Sequence, residues 1–370
     1  MGFVCGLIGL PNVGKSTVFN VLAGCSVPAS NYPFCTVEPN RGMASVPDKG
    51  LTFLGERLKP EKLTPTVLEF LDVAGLVQGA SQGEGLGNAF LGHMRAVDAI
   101  IHVVRLFEDN EIVHIPGNVE PLRDIQLVET ELMLADLEII ERRKEKVKRT
   151  SRMGQKDAVE ELHHLEWLQK PLNEGIPLRN YLKNQQFPSN TYKEWGLLTD
   201  RPVIYVLNLD EDQITHQSEI VGELKTKIPD EDAVFLSICA RLEMEIRDLE
   251  PEDQDRFRDE MNLGLCGLDR LVKEGYRLLN LITFYTIVGK EIRSWAIQKG
   301  NTAFHAAGKI HSDMQQGFVK AEVIHFNDFF QAGSEEKVKQ NGLMHIEGKE
   351  YVVEDRDILK IRFQQNLKRS

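Results

Sequence analysis

The sequence has few cysteines and none at metal-binding spacing. The five cysteines are an odd number and form no CxxC pair. This pattern argues against both a structural zinc site built on cysteine and a framework of disulfides. Such cysteine usage suits a reducing compartment, so we expect a cytoplasmic protein.

Long hydrophobic runs are also missing. No segment approaches the roughly 18 consecutive apolar residues of a membrane helix, and the opening MGFVCGLIGLPN lacks the basic flank of a secretory signal. We therefore expect neither a leader peptide nor association with a membrane. The 370 residues are 42% hydrophobic and 27% charged, a balance typical of a globular protein with two or three domains.

Positive charge is scarce overall but concentrated at one place. The net charge is −12, whereas the run RRKEKVKRTSRMGQK, from Arg142 to Lys156, has eight Lys or Arg and one Glu, a local charge of +7. An acidic protein does not coat nucleic acid with its whole surface, although a local basic patch can bind it. Two interpretations stay open, a solvated helix face and a contact for RNA phosphates.

The segment GLPNVGKST has the spacing GxxxxGK[ST] of a phosphate-binding loop. An apolar run typical of a buried strand precedes it, and an amphipathic segment that ends in glycine follows it, which is the order the motif requires. Backbone N–H groups of such a loop face phosphate oxygens, the lysine neutralises terminal phosphates, and the hydroxyl ligates Mg²⁺. The predicted nucleotide-binding residues here are Asn12, Val13, Gly14, Lys15, Ser16 and Thr17.

Two further segments complete a GTPase-type switch. An apolar strand ends at Asp72, whose carboxylate can hold Mg²⁺ through water, and Gly75 closes a DxxG motif whose amide senses the terminal phosphate. Thr36 offers a second hydroxyl to the metal. We predict Ser16, Thr36 and Asp72 as the metal site, and Lys15 and Gly75 as residues that act in hydrolysis, with a second switch from Asp72 to about residue 93.

The residue directly after DxxG is Leu76. Ras-like GTPases carry a glutamine there, which orients the attacking water. An aliphatic side chain can neither donate to that water nor accept from it. We therefore expect slow intrinsic hydrolysis unless another group stabilises the charge of the transition state.

The base pocket is predicted from NLDE, which follows the apolar strand TDRPVIYVL where guanine-specific switch proteins carry NKxD. Asn208 is kept, Leu209 replaces the lysine that covers the base, and Glu211 replaces the aspartate with a longer carboxylate. Adenine lacks the two hydrogens that this carboxylate accepts from guanine, so Glu211 is expected to turn away, while Asn208 pairs with adenine or braces the phosphate loop. The later SICA segment adds Ser237, Cys239 and Ala240 to the predicted pocket.

Between these halves the hydrophobic pattern becomes helical. One apolar seam has the 3,4 spacing of a coiled coil, and a second seam follows the basic run. The pattern predicts an antiparallel hairpin with KRTSRMGQK near its tip. The seams are Ile125, Val128, Leu132, Ala135 and Ile139, then Ala158, Leu162, Leu165, Leu168 and Leu172.

Beyond residue 275, short β-rich runs alternate with Gly, Asn and Asp turns, which predicts a compact mixed sheet. The runs are LITFYTIV, SWAI, FVKAEVIHF and YVVEDRDILKIRF. His311 and Asp313 lie close together in sequence, but no nucleophile or metal partner is near them. We interpret this pair as having a structural or surface role rather than a catalytic one.

These segments together resemble the YchF family of Obg-like ATPases, within the translation-factor-related GTPases. The resemblance rests on GLPNVGKST, NYPFCTVEPN, DVAGLVQGASQGEGLGNAFL and HVVRLFEDNEIVHIPGNVEP, and it extends over essentially the whole chain. It implies an α/β P-loop domain with a helical hairpin insertion and a C-terminal ubiquitin-like β-grasp (TGS) domain. The implied boundaries are 1–124 and 196–280 for the nucleotide domain, 125–195 for the hairpin and 281–366 for the TGS domain.

The resemblance also bears on single residues. Leu76 matches the branch with a hydrophobic residue in place of the catalytic glutamine. Asn12 matches a phosphate-loop asparagine that helps bind K⁺ in some of these proteins, which adds Asn12 to the expected catalytic residues and K⁺ to Mg²⁺ as a candidate cofactor. Arg356 stands where the family usually has a turn glycine, and Phe304 where proline is common.

The sequence thus predicts a cytoplasmic, Mg²⁺-dependent P-loop NTPase that hydrolyses ATP in preference to GTP and associates with ribosomes or ribosomal RNA, in translation or in stress regulation. The alternative is a nucleotide-gated binding regulator, open to GTP as well, in which slow hydrolysis is incidental. The pattern specifies neither a pathway nor an oligomeric state.

Overall fold

The computed structural model describes residues 3–24, 40–73, 92, 94–151, 155–183, 185, 190–228, 230, 233–260 and 266–364. Within these residues the strands form two six-stranded sheets, with the orders β2-β4-β1-β5-β6-β7 and β11-β10-β12-β8-β9-β3. The strands are β1 (Val4–Ile8), β2 (Arg41–Ser45), β3 (Lys62–Thr64), β4 (Val67–Asp72), β5 (Ala99–Arg105), β6 (Val203–Asn208), β7 (Val234–Ile238), β8 (Leu281–Val288), β9 (Glu291–Gln298), β10 (Phe318–Ile324), β11 (His345–Glu347) and β12 (Ile358–Phe363).

Helices connect these strands and cover both faces of the first sheet. They are α1 (Lys15–Gly24), α2 (Lys49–Leu58), α3 (Pro121–Ser151), α4 (Lys156–Asn173), α5 (Leu178–Leu182), α6 (Gln217–Lys227), α7 (Ala240–Arg247), α8 (Pro251–Glu260), α9 (Gly267–Leu278), α10 (Ala303–Ile310), α11 (Ser312–Gln316), α12 (Phe326–Ala332) and α13 (Glu335–Gln340), with short 3-10 turns at Asn190–Trp195 and Asp212–His216. None of the described helices has both the length and the apolar character needed to cross a membrane.

The first sheet is parallel except for its edge strand β2, which runs antiparallel to β4. The strands β5 and β6 are buried along their whole length because α1 and α9 pack on one face and α3 and α6 on the other. The chain adds strands on one side of β1 and then on the other. This switch of direction opens a crevice at the carboxyl ends of the strands, where ligands of α/β sheets bind. The predicted α/β fold class is confirmed.

The helices α3 and α4 form the predicted antiparallel pair, but their seams are used differently from the prediction. The α3 seam that contains Val128 and Leu132 packs against β5 and β6 of the nucleotide sheet. The α4 seam instead meets a second face of α3 that contains Met133 and Ile140. A helix buried on two faces carries more apolar positions than one heptad seam describes, which is why the spacing alone did not identify the partner of each face.

A buried carboxylate joins the hairpin to the segment that leads into β6. Asp136 on α3 accepts hydrogen bonds from the backbone N–H groups of Leu198 and Thr199, at 2.7 and 2.8 Å, and from the Thr199 hydroxyl at 2.6 Å. Burial raises the pKa of Asp136 to about 6, although these three donors oppose the shift. The donors are what make a carboxylate acceptable at this depth.

The second sheet has β12 parallel to β8 at its centre and antiparallel strands on either side, which is a β-grasp arrangement. Arg356, where the resemblance led us to expect glycine, adopts a left-handed φ of 71° in the turn before β12. The backbone N–H of Phe304 donates to the Lys349 carbonyl at 3.2 Å, a bond that proline could not make. Both departures from the family pattern are therefore accommodated locally.

One connection between the sheets was not predicted from the sequence. After β2 the chain enters α2 and β3, which belong to the second sheet: β3 pairs with β9, and Leu51 and Leu54 lie in the core of the C-terminal domain. Asp48 caps α2 and also accepts a hydrogen bond from the buried Tyr285 hydroxyl at 2.8 Å. Residues 48–64 thus join the two sheets.

Candidate functional site

The phosphate loop lies between β1 and α1, at the crevice of the first sheet. Its glycines are required by close contacts: a Cβ on Gly9 would lie 2.5 Å from the Val103 carbonyl oxygen, and one on Gly14 would lie 2.1 Å from Asn208 Nδ2. Gly14 also has a φ of +87°. The loop therefore passes so close to β5 and β6 that no side chain fits at these positions.

Three of the predicted phosphate and metal groups meet at the start of α1. The Lys15 ammonium forms an ion pair with Asp72 at the end of β4, and the Ser16 hydroxyl lies 3.4 Å from the second Asp72 oxygen. A hydroxyl and a carboxylate are the hard oxygen ligands that Mg²⁺ prefers. Thr36, Gly75 and Leu76 lie outside the described residues.

The side chain of Asn208 joins the two ends of the candidate site. Its Nδ2 donates to the Val13 carbonyl at 3.0 Å, and its Oδ1 accepts from the Ala240 N–H at 3.1 Å. Of the two roles expected for Asn208, this geometry is that of the brace. The amide is held between the phosphate loop and the SICA segment.

Next to the phosphate loop is a cavity of about 680 Å³, a size typical of small-molecule sites. It includes most of the predicted base-pocket residues, and Glu211 lies at its rim with an exposed side chain. Ser237 instead faces a smaller neighbouring cavity, where its hydroxyl hydrogen-bonds Gln217. The main cavity is lined by Asn12, Gly14, Thr17, Phe107, Glu108, Asp109, Ile112, Asn208, Leu209, Asp210, Glu211, Cys239, Ala240, Arg241, Met244, Glu245 and Asp248.

One wall of this cavity was not predicted from the sequence. It is the loop after β5, where Phe107 and Ile112 stand among acidic residues. The Phe107 N–H donates to the Asn208 carbonyl at 3.1 Å, which fixes the start of the loop beside the end of β6. The available signal was an aromatic residue directly after a buried strand, at the sheet edge that carries the phosphate loop.

Arg105, the last residue of β5, organises that wall from beneath. Its side chain is almost fully buried and donates to the backbone carbonyls of Phe107, Asp109 and Ile112 at 3.0 to 3.1 Å. The guanidinium carbon also lies 4.3 Å from the centre of the Phe107 ring. Burial lowers the pKa of Arg105, while Asp109 and Asp124 oppose that shift.

The far end of the same loop is attached to the phosphate loop. Asn12, in a left-handed conformation with φ of 63°, donates from Nδ2 to the Val113 carbonyl at 2.9 Å. The neighbouring His114 is buried and its Nε2 lies 2.7 Å from Asp124 Oδ2. Residues 105–114 are thus tied to β6, to α3 and to the phosphate loop at once.

The phosphate loop lies between a strand and a helix, and a lysine, a hydroxyl and the aspartate at the end of β4 meet beside a cavity large enough for a small molecule. This arrangement defines a P-loop nucleotide-binding protein of the GTPase type. A family model described as "50S ribosome-binding GTPase" matches residues 4–152, and the model YchF-GTPase_C, described as a protein of unknown function, matches residues 281–364.

Full-length relatives are similar throughout. The Ribosome-binding ATPase YchF of Escherichia coli O157:H7 is 44% identical over 366 residues, 98% of this chain and 99% of the relative. That of Bacillus subtilis is 42% identical over 367 residues, 98% of this chain and 100% of the relative. The solved structure of the Schizosaccharomyces pombe YchF GTPase is 34% identical, covers 98% of both chains and has a TM-score of 0.84. The chain belongs to the YchF family.

The contacts of Arg105 predict that the cavity wall loosens when this side chain is shortened. Lysine keeps the charge but lacks the planar fork that reaches three carbonyls. We expect Arg105→Lys to speed hydrogen exchange of the amides in residues 107–112 by about tenfold or more, because charged hydrogen bonds are lost from a buried position. Exchange measured by mass spectrometry checks this.

The matched control is Arg241→Lys on the opposite wall, where the exposed guanidinium pairs with Glu245 at 3.1 Å. That variant should leave the 107–112 amides unchanged. Equal protection in wild type and Arg105→Lys would show that the loop does not depend on the guanidinium.

Proposed function

We propose that this protein is a cytoplasmic P-loop switch protein that binds and hydrolyses ATP in preference to GTP and associates with ribosomes. The observation that carries the nucleotide preference is the base cavity, with apolar Leu209 in its wall and the exposed Glu211 at its rim. The names of the bacterial relatives, ribosome-binding ATPases, support the proposal, whereas the fission yeast relative is named a GTPase. Nucleotide preference is therefore the property to measure first.

The cavity offers a purine two apolar surfaces, and the carboxylate at the predicted base-reading position is exposed. Leu209 is buried, with 3% of its surface exposed, and its backbone N–H donates a hydrogen bond to the Ile238 carbonyl at 2.9 Å. Phe107 lies on another part of the lining, so a planar base has an aromatic and an aliphatic surface to pack on. Reading guanine requires a carboxylate desolvated in the plane of the base, and the exposed Glu211 would have to leave water to take that position.

The phosphate end is proposed to hold Mg²⁺. Ser16 and Asp72 supply a hydroxyl and a carboxylate, and Thr36 is the proposed third residue. The ion neutralises phosphate charge when bound. We infer that the phosphates compete with Asp72 for the Lys15 ammonium, so that nucleotide binding exchanges the Lys15–Asp72 ion pair for contacts of each group with the nucleotide and its metal.

The proposed arrangement has residues 1–124 and 196–280 in the nucleotide domain, 125–195 in the hairpin and 281–366 in the TGS-like domain. Residues 48–64 depart from these boundaries, because they pack with the second sheet and link it to the first. Within the second switch, Gly75 is proposed to contact the terminal phosphate. Because Leu76 cannot orient water, we further propose that K⁺ beside Asn12 supplies part of the missing charge stabilisation.

The K⁺ proposal predicts that turnover of ATP falls when K⁺ is replaced by Na⁺ at equal ionic strength, and that Asn12→Ala removes the difference between the two ions. A phosphate-release assay at saturating Mg²⁺ and ATP measures both. The same rate in K⁺ and Na⁺ would eliminate K⁺ as a cofactor. That result would not contradict the proposed ATP binding or the proposed Mg²⁺ site.

The base-pocket proposal predicts tighter binding of ATP than of GTP, by roughly tenfold to a hundredfold, since one such site discriminates by about 1–3 kcal/mol. The double change Leu209→Lys with Glu211→Asp restores the guanine-reading pair and should reverse the order. Because Leu209 lines the cavity, the lysine stem can follow the wall and carry its ammonium to water. Calorimetric titration of both nucleotides measures the order.

The control pair is Leu209→Met with Glu211→Gln, which keeps an apolar wall and removes the carboxylate charge. It should retain the preference for ATP. A wild-type preference for GTP would sink the base-pocket argument and make the protein a slow GTPase with an unusual specificity loop.

The proposed ribosome contact is the basic run at the end of α3. The structure divides this run into two parts. Arg143 and Lys144 hold the hairpin together, through Glu161 and through Gln169 at 2.7 Å, while Lys146 is exposed. The charge available to RNA phosphates is therefore smaller than the local +7 and lies towards the tip of the hairpin.

Charge reversal at the tip should abolish co-sedimentation with ribosomes while ATP binding persists. The variant changes Lys146, Lys148, Arg149 and Arg152 to Glu and spares Arg143 and Lys144, so that α3 and α4 stay paired. Wild-type association should also weaken steeply as salt increases, because binding releases counterions from phosphates. Sedimentation through a sucrose cushion over a salt series measures both effects.

The charge-matched control changes Lys225, Lys227, Arg256 and Lys290 to Glu, all at exposed positions outside the hairpin. It should sediment with ribosomes as wild type does. Unchanged co-sedimentation of the tip variant would contradict the RNA contact and leave the basic run as a solvated, solubilising surface.

A regulator in which hydrolysis is incidental is the second candidate, and Leu76 is the observation that favours it. A variant that binds ATP without hydrolysing it separates the two. If that variant keeps both nucleotide-dependent ribosome binding and its function in cells, the regulator is favoured. If the variant loses its function in cells, the enzyme is favoured.

A further inference from the structure

Two imidazoles and two carboxylates converge at one side of the C-terminal sheet, in a domain other than the one that holds the nucleotide cavity. His325 follows β10, His345 begins β11, and Glu354 and Asp357 lie in the turn that leads into β12. Three separate chain segments therefore supply the four groups. This convergence has no part in the proposed nucleotide chemistry.

The ligand atoms of three of these groups, His325, Glu354 and Asp357, are close enough to bind one ion, and the His345 ring lies beside them. His325 Nδ1 lies 2.9 Å from Asp357 Oδ1 and 3.8 Å from Glu354 Oε2, and all three atoms lie within 4.8 Å of one another. The rings of His325 and His345 have centroids 5.5 Å apart. A lone His–Asp hydrogen bond is a common structural contact, but here a second carboxylate and a second imidazole flank it.

The separations suit a tetrahedral cation. Metal–ligand bonds of about 2.1 Å, as in zinc sites, place neighbouring ligand atoms about 3.4 Å apart. The distances of 2.9 and 3.8 Å lie on either side of that value, so shifts of about half an ångström would bring both carboxylates to ligand distance.

Asp357 is already oriented as a metal carboxylate should be. It is 1% exposed, and its Oδ2 accepts hydrogen bonds from the Tyr351 hydroxyl at 2.7 Å and the Glu354 N–H at 2.9 Å. Those two donors hold the carboxylate plane and leave Oδ1 facing His325. Outer hydrogen bonds of this kind fix ligand orientation in metal sites.

The electrostatic surroundings favour a cation. The carboxylates of Asp357 and Glu354 lie 2.9 and 3.8 Å from His325 Nδ1 and supply two negative charges at the site. Those charges would stabilise a divalent cation bound to the neutral imidazole. His325, His345 and Glu354 are at least partly exposed, which leaves the site open to ions from solvent.

We propose that His325, His345, Glu354 and Asp357 form a binding site for a divalent transition cation of the zinc class. The paired imidazoles select this class over Mg²⁺ and Ca²⁺, which take oxygen ligands. A bound ion links the start of β11 and the 354–357 turn to the end of β10, so it stabilises the C-terminal domain by binding only its folded state.

The test uses the full-length protein, stripped with a chelator and free of nucleotide. Zn²⁺ is titrated by calorimetry, and Co²⁺ is added in parallel to detect the strong visible absorption of tetrahedral coordination. We expect 1:1 binding and a rise in melting temperature with Zn²⁺. His325→Gln, His345→Gln and Asp357→Asn should each weaken Zn²⁺ binding by at least about tenfold.

The matched control is His311→Gln in the same domain, where the imidazole accepts from the Asp313 N–H at 3.1 Å as a helix cap. It should bind Zn²⁺ as wild type does, and circular dichroism should show every variant to be folded. The absence of Zn²⁺ binding by wild type, or wild-type affinity in either the His325 or the His345 variant, overturns the proposal.

Discussion

The amide of Asn208 holds the nucleotide crevice in shape. Its two polar atoms join the carbonyl of Val13 to the N–H of Ala240, and its own backbone carbonyl receives the N–H groups of Leu106 and Phe107. One residue at the end of a central strand therefore positions the phosphate loop and both walls of the base cavity. Removing a buried partner of this kind leaves groups unsatisfied at a cost of about 1–3 kcal/mol each.

This brace also constrains how a base can be recognised. With both amide atoms of Asn208 engaged inside the protein, the proposed discrimination between bases falls to the rest of the cavity lining, where Leu209 and Phe107 are the apolar surfaces among several carboxylates. Apolar walls bind a purine without reading its edge, so selectivity from them is modest.

The sequence predicted those features that are encoded locally. A phosphate loop is defined by the spacing of a few neighbouring residues, and the ends of parallel strands bring Asp72 to Lys15 and Ser16 without further information. The β-rich runs of the C-terminal domain were likewise legible from composition, and β8 spans the whole of LITFYTIV.

Contacts between distant segments of the chain could not be predicted from the sequence in this way. Arg105 looks like a polar strand end until the fold wraps residues 107–112 around its guanidinium. Ser237 lies in the predicted segment, but strand alternation turns its hydroxyl towards Gln217 and away from the base cavity. In α3, the heptad spacing identified apolar positions without identifying which partner buries each face.

Residues 48–64 connect the two domains, because they follow β2 of the first sheet and pack against the second sheet. Strand β2 pairs with β4 from Arg41–Leu71 to Ser45–Val67, next to the Asp72 carboxylate, and three residues after β2 the chain enters α2 in the C-terminal core. A packed core resists continuous deformation. Because α2 is capped by Asp48, bonded to Tyr285 and tied through Arg57 to the Gly333 carbonyl at 2.9 Å, β2 cannot shift against β4 without either moving the C-terminal domain or breaking these contacts. A change at the Asp72 end of β4 that displaced β2 would therefore act on the C-terminal domain as well.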